Sequence, residues 1–496
     1  MKSLKIKLLL SLSLISSVVF AQNTNIFLKR DFWKTKPSIE QVEQKIKEGN
    51  SATKLNRYGF DAVVYALLEN ADENVIKHLL SKKGNDVNKL THDGRTYIFW
   101  AAYKNNMPIV NYLLSNGAKT DVIDDKGYSL LNFVAVAGVT NTKLYDLLIS
   151  KGANILKDKT PKGADALLLI TPKLEDFKLV DYFTKKGLDI NSTDKDGNGA
   201  FNYTAQSGNK KMLELLIKKG LPYKTVNKKG GNAMLFATRG SRRGYNSLDY
   251  FKYLEGLGIN PNITNKEGTT PLHNLSYRNK DIATYEYFIV KGVDVNQANK
   301  EGNTPLLNAS GRNSIEIIKL LANKTKNINH TNKDGKSALT YALRNKPEIV
   351  DYFISKGSDV AIVDKKGNNL NYYLFKTFNP KNKEEFSKKL NALKSKGLDI
   401  EKTQKDGNTL YHLAVDKQSI PMLDFIKEYK INVNAKNNKG LTALQKAVMT
   451  AKNDKIIKHL VSLGANKSVK TDFDETLYDL AKENEALKNI DISFLK

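Results

Sequence analysis

A glycine returns at a near-constant interval through almost the whole 496-residue chain, and that period decides what the chain can fold into. The positions are Gly59, Gly94, Gly127, Gly163, Gly197, Gly230, Gly268, Gly302, Gly335, Gly367, Gly407 and Gly440. Asp474 holds the same register in a thirteenth copy, so residues 59 to 474 make twelve steps of about 34.6 residues each. A single compact core stops growing well below this length. A period in this range points instead to stacked units, each with an apolar face that it cannot bury alone.

Each copy follows one physical grammar. Turns such as Asn265-Lys266-Glu267-Gly268 and Asn332-Lys333-Asp334-Gly335 supply residues that tolerate tight or left-handed backbone. Two residues later stands a hydroxyl (Thr96, Ser129, Thr270, Thr304, Ser337, Thr409, Thr442, Thr476), placed to accept an orphan N–H at a helix start. Pro271 and Pro305 follow directly, where a helix does not need their missing N–H. Small residues inside this first helix (Ala101, Ala309, Ala342, Ala414, Ala447) let neighbouring helices approach. A second helix carries an apolar stripe, as in Ile315, Ile318 and Leu321, and ends in Lys-Gly or a variant, as in Lys291-Gly292 and Lys356-Gly357. The glycine suits a left-handed C-cap, and the lysine meets the negative end of the helix dipole.

Thr270-Pro271-Leu272-His273, the turn before it and the Gly-[Ala/Val/Leu]-Asp-type endings resemble ankyrin repeats over roughly residues 56–490. The resemblance implies an all-α solenoid of about 13 helix-turn-helix pairs with short β-turn or hairpin fingers. Copies at Gly268, Gly302, Gly335 and Gly440 match well, whereas those at Gly59, Gly163, Gly230 and Gly367 are degenerate but in phase. The expected organisation is a signal peptide at 1–21, an N-terminal extension and capping helix at 22–55, repeats at 56–490 and a tail at 491–496. Within the extension, Pro37-Ser38 opens a helix bearing Ile39, Val42 and Ile46, with Ser38 and Gln41 spaced as a capping box. It reads as the second helix of a truncated first unit. The last copy is followed by polar Lys482-Glu483-Asn484-Glu485, as a water-facing terminal repeat requires.

The leader reading rests on Lys2, Lys5 and Lys7, the apolar run Leu8 to Phe20, and a small-residue cleavage site at Val19-Phe20-Ala21. That run is too short to span a bilayer as a helix, and no later segment is apolar enough to do so. A weakly anchored first helix is the alternative. With no cysteine in the chain, export suggests a bacterial periplasm or secretion, with stability coming from packing alone. Cleavage before Gln22 removes three lysines and lowers the net charge from +27 to +24.

Catalytic and metal motifs are not found. His273 and His412 hold the position at which the resemblance implies a structural, hydrogen-bonding histidine. His78 and His459 share a second-helix register, and His92 and His330 lie in turns, with no pair at ligand spacing. Asp194-Lys195-Asp196-Gly197-Asn198-Gly199 begins like a calcium loop, but its twelfth position is Ala205 and it coincides with a repeat turn. No Walker-type phosphate loop is present. A non-enzymatic chain without cofactor or metal is expected.

The resemblance implies that a partner is gripped on the concave side, by hairpin tips and by the outer ends of the first helices, nine or ten residues after each glycine. Only nine arginines occur, and Arg239, Arg278, Arg312 and Arg344 take this place in four successive repeats. Arg242 and Arg243 lie in an adjacent insertion, and Lys376, Tyr103 and Tyr277 share the same stretch of the repeat. Helices packed about 8–10 Å apart would space the guanidinium groups as a ladder, and arginine suits planar carboxylates or phosphates better than lysine does. Cations that only complement helix dipoles are the competing explanation. Tip lysines Lys228, Lys266, Lys300, Lys333, Lys365 and Lys405 read as a solvated edge, and Tyr97, Phe99 and Trp100 as core more than as anchors. Insertions near Arg239–Ser247 and Thr377–Glu384 are further candidates for contact. The leading expectation is therefore a monomeric, exported scaffold that binds an acidic protein surface. Binding of extracellular nucleic acid or acidic polysaccharide by diffuse charge is the alternative.

Overall fold

The computed structural model describes residues 25–241 and 244–496. The expected leader at 1–21 with its cleavage site after Ala21, the first residues of the extension, and Arg242 and Arg243 lie outside the described residues. The described residues are mostly helical, with no strands and only isolated bridges such as Thr331–Ser337 and Val363–Asn369 at the fingers. The chain is an all-α repeat solenoid that divides into two compact units.

The first unit comprises the described residues through Thr204, with Lys211–Leu221. It opens with a 3-10 turn, Ile26–Leu28, and the helices Arg30–Lys34 and Ile39–Lys47. The capping box of Ser38 and Gln41 forms: Gln41 Oε1 accepts from the Ser38 N–H at 2.8 Å. The truncated first unit expected from sequence is more complete than that, because Arg30–Lys34 serves as its first helix and buries Trp33. Pairs then follow: Ala62–Leu68 with Glu73–Leu80, Tyr97–Tyr103 with Met107–Ser115, Leu130–Ala137 with Thr142–Ser150, and Ala166–Ile170 with Lys178–Lys185. Ala200–Ser207 and Lys210–Lys218 form the next pair, at the division.

The second unit comprises Ala205–Lys210 and Pro222–Lys496. Its pairs are Ala233–Ala237 with Leu248–Gly256, Pro271–Leu275 with Ile282–Val290, Pro305–Ser310 with Ile315–Ala322, and Ala338–Ala342 with Pro347–Ser355. Leu370–Lys376 with Lys383–Lys394, Leu410–Asp416 with Ile420–Lys427, and Ala443–Thr450 with Lys455–Ser462 complete the set. The last copy keeps only its first helix, Leu477–Glu483. The 3-10 turns Glu485–Leu487 and Ser493–Leu495 replace the second and bury Leu487 and Leu495 against the unit.

First helices are buried nearly all round, because they are flanked on both sides; in Tyr97–Tyr103 every residue from Tyr97 to Ala102 is buried. Second helices bury only a stripe, such as Ile349, Val350 and Phe353, and give their other face to solvent. Phe288 and Phe251, both fully buried on second helices, meet edge to face at 5.2 Å.

The fingers explain the glycine period. In the Gly302 finger, Asn299 Oδ1 accepts from the Glu301 and Asn303 N–H groups at 3.0 and 2.9 Å, and the Gly302 N–H donates to Asn299 O at 2.8 Å. Successive fingers then join through their backbones: Lys300 N–H donates to Glu267 O (2.8 Å), Lys333 N–H to Glu301 O (2.9 Å) and Lys365 N–H to Asp334 O (2.8 Å). Gly302 has φ +77°, and a Cβ there would lie 2.9 Å from the Lys333 nitrogen. Left-handed backbone and a close neighbour together exclude a side chain. Gly302→Ala is expected to cost about 1–3 kcal/mol, read as a lower urea midpoint in equilibrium unfolding.

Capping follows the sequence pattern. His273 Nδ1 accepts from the Thr270 N–H at 3.1 Å, and its Nε2–H donates to Asn303 O of the next repeat at 2.9 Å. His412 repeats this with Thr409 and Leu441 O. Burial holds both imidazoles below the ordinary histidine range, so they are neutral. The unfolded chain takes up these protons near pH 6.5, so their contribution to stability is present above that pH and is lost as the pH falls through it. Between about pH 7 and 5, a His273→Gln/His412→Gln variant should show a flatter fall in thermal midpoint than the parent chain; an equal slope would refute this assignment.

Candidate functional site

In the second unit, the four ladder arginines share one backbone geometry. The N–H of each donates to the carbonyl three residues earlier: Arg239 to Phe236 (3.1 Å), Arg278 to Leu275 (3.2 Å), Arg312 to Ala309 (3.1 Å) and Arg344 to Tyr341 (3.2 Å). Each therefore stands one or two residues beyond the C-cap of a first helix, and all four are exposed.

Other side chains take the carbonyls at these helix ends. Asn313 Nδ2 donates to Ser276 O and Asn279 O at 2.9 and 3.0 Å, and Asn345 Nδ2 to Ser310 O and Asn313 O at 3.1 and 3.0 Å. Lys389 Nζ donates to Leu343 O at 2.8 Å and Asn345 O at 3.2 Å. Arg278, Arg312 and Arg344 make no ion pair among the described residues. Arg239 differs, because its guanidinium lies 3.8 Å from the centre of the Phe236 ring.

Arg312 and Arg344 line one groove of about 250 Å³ with Tyr277, Asn303, Asn308 and Tyr341. A neighbouring hollow of about 270 Å³ shares Arg344 and adds Lys346, Asn379, Glu385 and Lys389. Tyr277 is 53% exposed. Lys376 is exposed, and its Nζ donates to Tyr372 Oη at 3.0 Å. Tyr103 belongs to the first unit, 41% exposed against Phe133 at 5.7 Å, and lines neither hollow. Its neighbours Tyr97, Phe99 and Trp100 are core, with Trp100 Nε1–H donating to Thr91 Oγ1 at 2.8 Å.

Both insertions are anchored. Asn246 Nδ2 donates to Ala237 O at 2.9 Å. In the other, Phe378 and Phe386 pack with Phe375 and Phe425 at centroid distances of 5.1–6.2 Å. The remaining histidines also have structural partners. His78 meets Glu43 at 2.6 Å, His459 meets Asp424 at 2.7 Å, His330 meets Gly302 O at 2.8 Å, and His92 stacks on Phe60 at 4.4 Å. Asp194, the head of the calcium-like stretch, has its oxygens filled by Asp196 N–H, Asn198 and Tyr203 at 2.9–3.0 Å. Among the described residues no group of three or more His, Asp or Glu side chains converges to hold a metal ion, and no helix is long and apolar enough to cross a membrane.

Three features escape sequence reasoning. Arg95 is buried, bonded through Nε to Asp124 Oδ2 at 2.8 Å and seated 4.4 Å from the Phe133 ring centre; nothing local signals this partnership across one repeat. Lys389 lies on the apolar stripe Phe386, Leu390 and Leu393, a detectable oddity, and burial lowers the pKa of its amine. The asparagines Asn279, Asn313 and Asn345 recur ten or eleven residues after the finger glycines, a period visible in the sequence once its purpose is known.

A family model of ankyrin repeats, three copies to the model, matches residues 51–159, 168–265, 241–331, 272–364 and 381–471. A stretch of 115 residues is 30% identical to "Palmitoyltransferase AKR1" of Saccharomyces cerevisiae; it covers 23% of this chain and only 15% of that protein's length. With the repeat pattern, the finger geometry and matches over well more than half of its length, the chain belongs to the ankyrin-repeat family.

Proposed function

We propose that this chain is an exported, non-enzymatic scaffold that holds an acidic protein partner at the outer ends of its first helices. One observation carries the reading: Arg278, Arg312 and Arg344 stand at equivalent points of successive repeats without an ion pair among the described residues, while Asn313, Asn345 and Lys389 take the helix-end carbonyls beside them. Cations kept only to complement helix ends would be expected on those carbonyls. The six histidines and Asp194, the residues most suggestive of chemistry, are engaged in caps, pairs and turns, which supports a binding role over catalysis.

Diffuse polyanion binding fits less well. Some lysines of the second helices are paired with carboxylates across repeats, as in Lys186–Asp146 at 2.6 Å and Lys291–Glu255 at 2.5 Å. Such exposed pairs add little stability, but they remove free charge. A salt titration separates the two readings, since polyanion affinity falls steeply as counterions compete. Reversing Arg278, Arg312 and Arg344 to Glu should weaken capture of a defined protein from the producing cell's envelope or medium by about 100-fold or more, because each lost charge-assisted contact is worth about 1.5–3 kcal/mol. Unchanged capture would overturn the reading.

Export to the periplasm or the medium is part of this reading, supported by the basic start, apolar run and small-residue site within residues 1–21. Amino-terminal sequencing of the protein recovered from outside the cytoplasm should begin at Gln22, whereas a start at Met1 would remove export by leader cleavage.

A further inference from the structure

The groove between Tyr277 and Arg344 has more specific chemistry than a flat basic surface. Two guanidinium groups, Arg312 and Arg344, stand at successive repeats along it, and Arg278 occupies the equivalent point one repeat earlier. Between them lie polar groups with unused capacity. Tyr341 Oη accepts from Asn332 Nδ2 at 2.9 Å and keeps its own hydrogen to donate. Asn308 uses its Nδ2 on His273 O at 3.2 Å and leaves Oδ1 to accept. Asn303 accepts from Asn332 through Oδ1 at 2.9 Å and keeps Nδ2 to donate. Donors and acceptors of this kind match the alternating N–H and C=O groups of an extended main chain.

Spacing narrows the occupant further. Helices of neighbouring repeats pack about 8–10 Å apart, which sets the interval between arginines at equivalent positions. An extended chain in the polyproline II form has three residues per turn and rises about 3.1 Å per residue, so side chains three residues apart share one face and are separated by about 9 Å. Carboxylates at i, i+3 and i+6 therefore fall in step with Arg278, Arg312 and Arg344. Arginine presents a planar fork that takes a carboxylate through two parallel bonds, and lysine lacks this geometry. Nucleic acid is disfavoured at this place. Single strands need successive exposed rings to stack on, and of the groove's two tyrosines Tyr277 is exposed whereas Tyr341 is half-buried with its hydroxyl engaged.

We propose that this groove binds an extended acidic polypeptide segment with carboxylate side chains at three-residue intervals, one to each of Arg278, Arg312 and Arg344. This deepens the protein-binding reading above and rests on it. The test uses the full chain and fluorescein-labelled synthetic peptides of roughly ten residues in extended Gly/Ser backgrounds, read by anisotropy at about 0.15 M salt. One peptide carries three glutamates at i, i+3 and i+6, a second carries three adjacent glutamates, and a thymidine oligonucleotide serves as the third probe. The spaced peptide should bind at least about fivefold more tightly than the clustered one. Arg312→Lys and Arg344→Lys should each weaken it by about tenfold and erase the spacing preference, whereas Lys333→Gln and Lys365→Gln at the finger tips should stay within about twofold.

Equal affinity for the two spacings, or equal loss with the finger-tip variants, would show diffuse charge and overturn the proposal. Tighter binding of the oligonucleotide, lost in the same arginine variants, would assign the groove to nucleic acid instead. If no peptide binds while envelope capture still depends on the arginines, the segment proposal fails and the scaffold reading stands. If both are absent, both fail.

Discussion

First helices in the second unit end in carbonyls that their own helix leaves open, and in most of them a side chain from a later segment closes these. Asn246 does this within its own pair, Asn313 and Asn345 do it from the next repeat, and Asn484 of the last copy reaches Val448 O and Ala451 O, both at 2.9 Å. Leaving such a carbonyl buried and unpaired costs about 1–3 kcal/mol, which is large against the modest net gain of an ordinary hydrogen bond. Together with the backbone links between fingers, this makes each repeat incomplete without a neighbour. The apolar stripes add the main attraction, but the polar ends fix the register. A helical pair slid by one residue would keep much of its buried area and lose every one of these bonds.

The same constraint accounts for the irregular repeats. Where the insertion after Thr377 lengthens the second helix to Lys383–Lys394, no asparagine reaches back, and Lys389 threads its ammonium to the carbonyls of Leu343 and Asn345 instead. Burial disfavours the charged amine there, yet two carbonyl acceptors compensate, as expected for a buried donor whose partners are in place. One repeat later Lys417 caps Lys376 O and Phe378 O, both at 3.1 Å. At the other end, Lys36 reaches forward to Glu69 O at 2.6 Å. Asparagine and lysine thus perform one task by different reach, a short amide in most of these repeats and a long amine at Lys36, Lys389 and Lys417.

Much of this was legible in the sequence, because the dominant signals are local. The fingers, the hydroxyl caps, Thr270 with His273 and the capping box at Ser38 all depend on residues within a few positions of one another. Less legible were the elements whose cause lies a repeat away. Arg30–Lys34 is five residues long, precedes any finger glycine and forms around the buried Trp33, so no period announces it. Leu495 sits in the stretch read as a tail at 491–496, beyond the last repeat, yet it is buried. For the candidate site, the ladder positions came from register alone. What the sequence could not supply was the competition for the helix-end carbonyls, since that depends on which side chain of the next repeat arrives first.

That competition also explains the division of labour between the two cations. Lysine is abundant here and works as a flexible tether: it caps carbonyls, pairs with carboxylates across second helices, and lies over rings such as Tyr287, 5.7 Å from the Lys291 amine. Arginine is scarce, and Arg95, the buried arginine among the described residues, pairs with a carboxylate and stacks on a ring at once. Its Nε and a terminal nitrogen both reach one oxygen, Asp124 Oδ2, at 2.8 and 2.7 Å, while its guanidinium lies 4.4 Å from the centre of the Phe133 ring. At Arg312 and Arg344 the guanidinium fork is present, and among the described residues no carboxylate pairs with it. Among the described residues, Arg95 is where a buried guanidinium is closed by a carboxylate and a ring together.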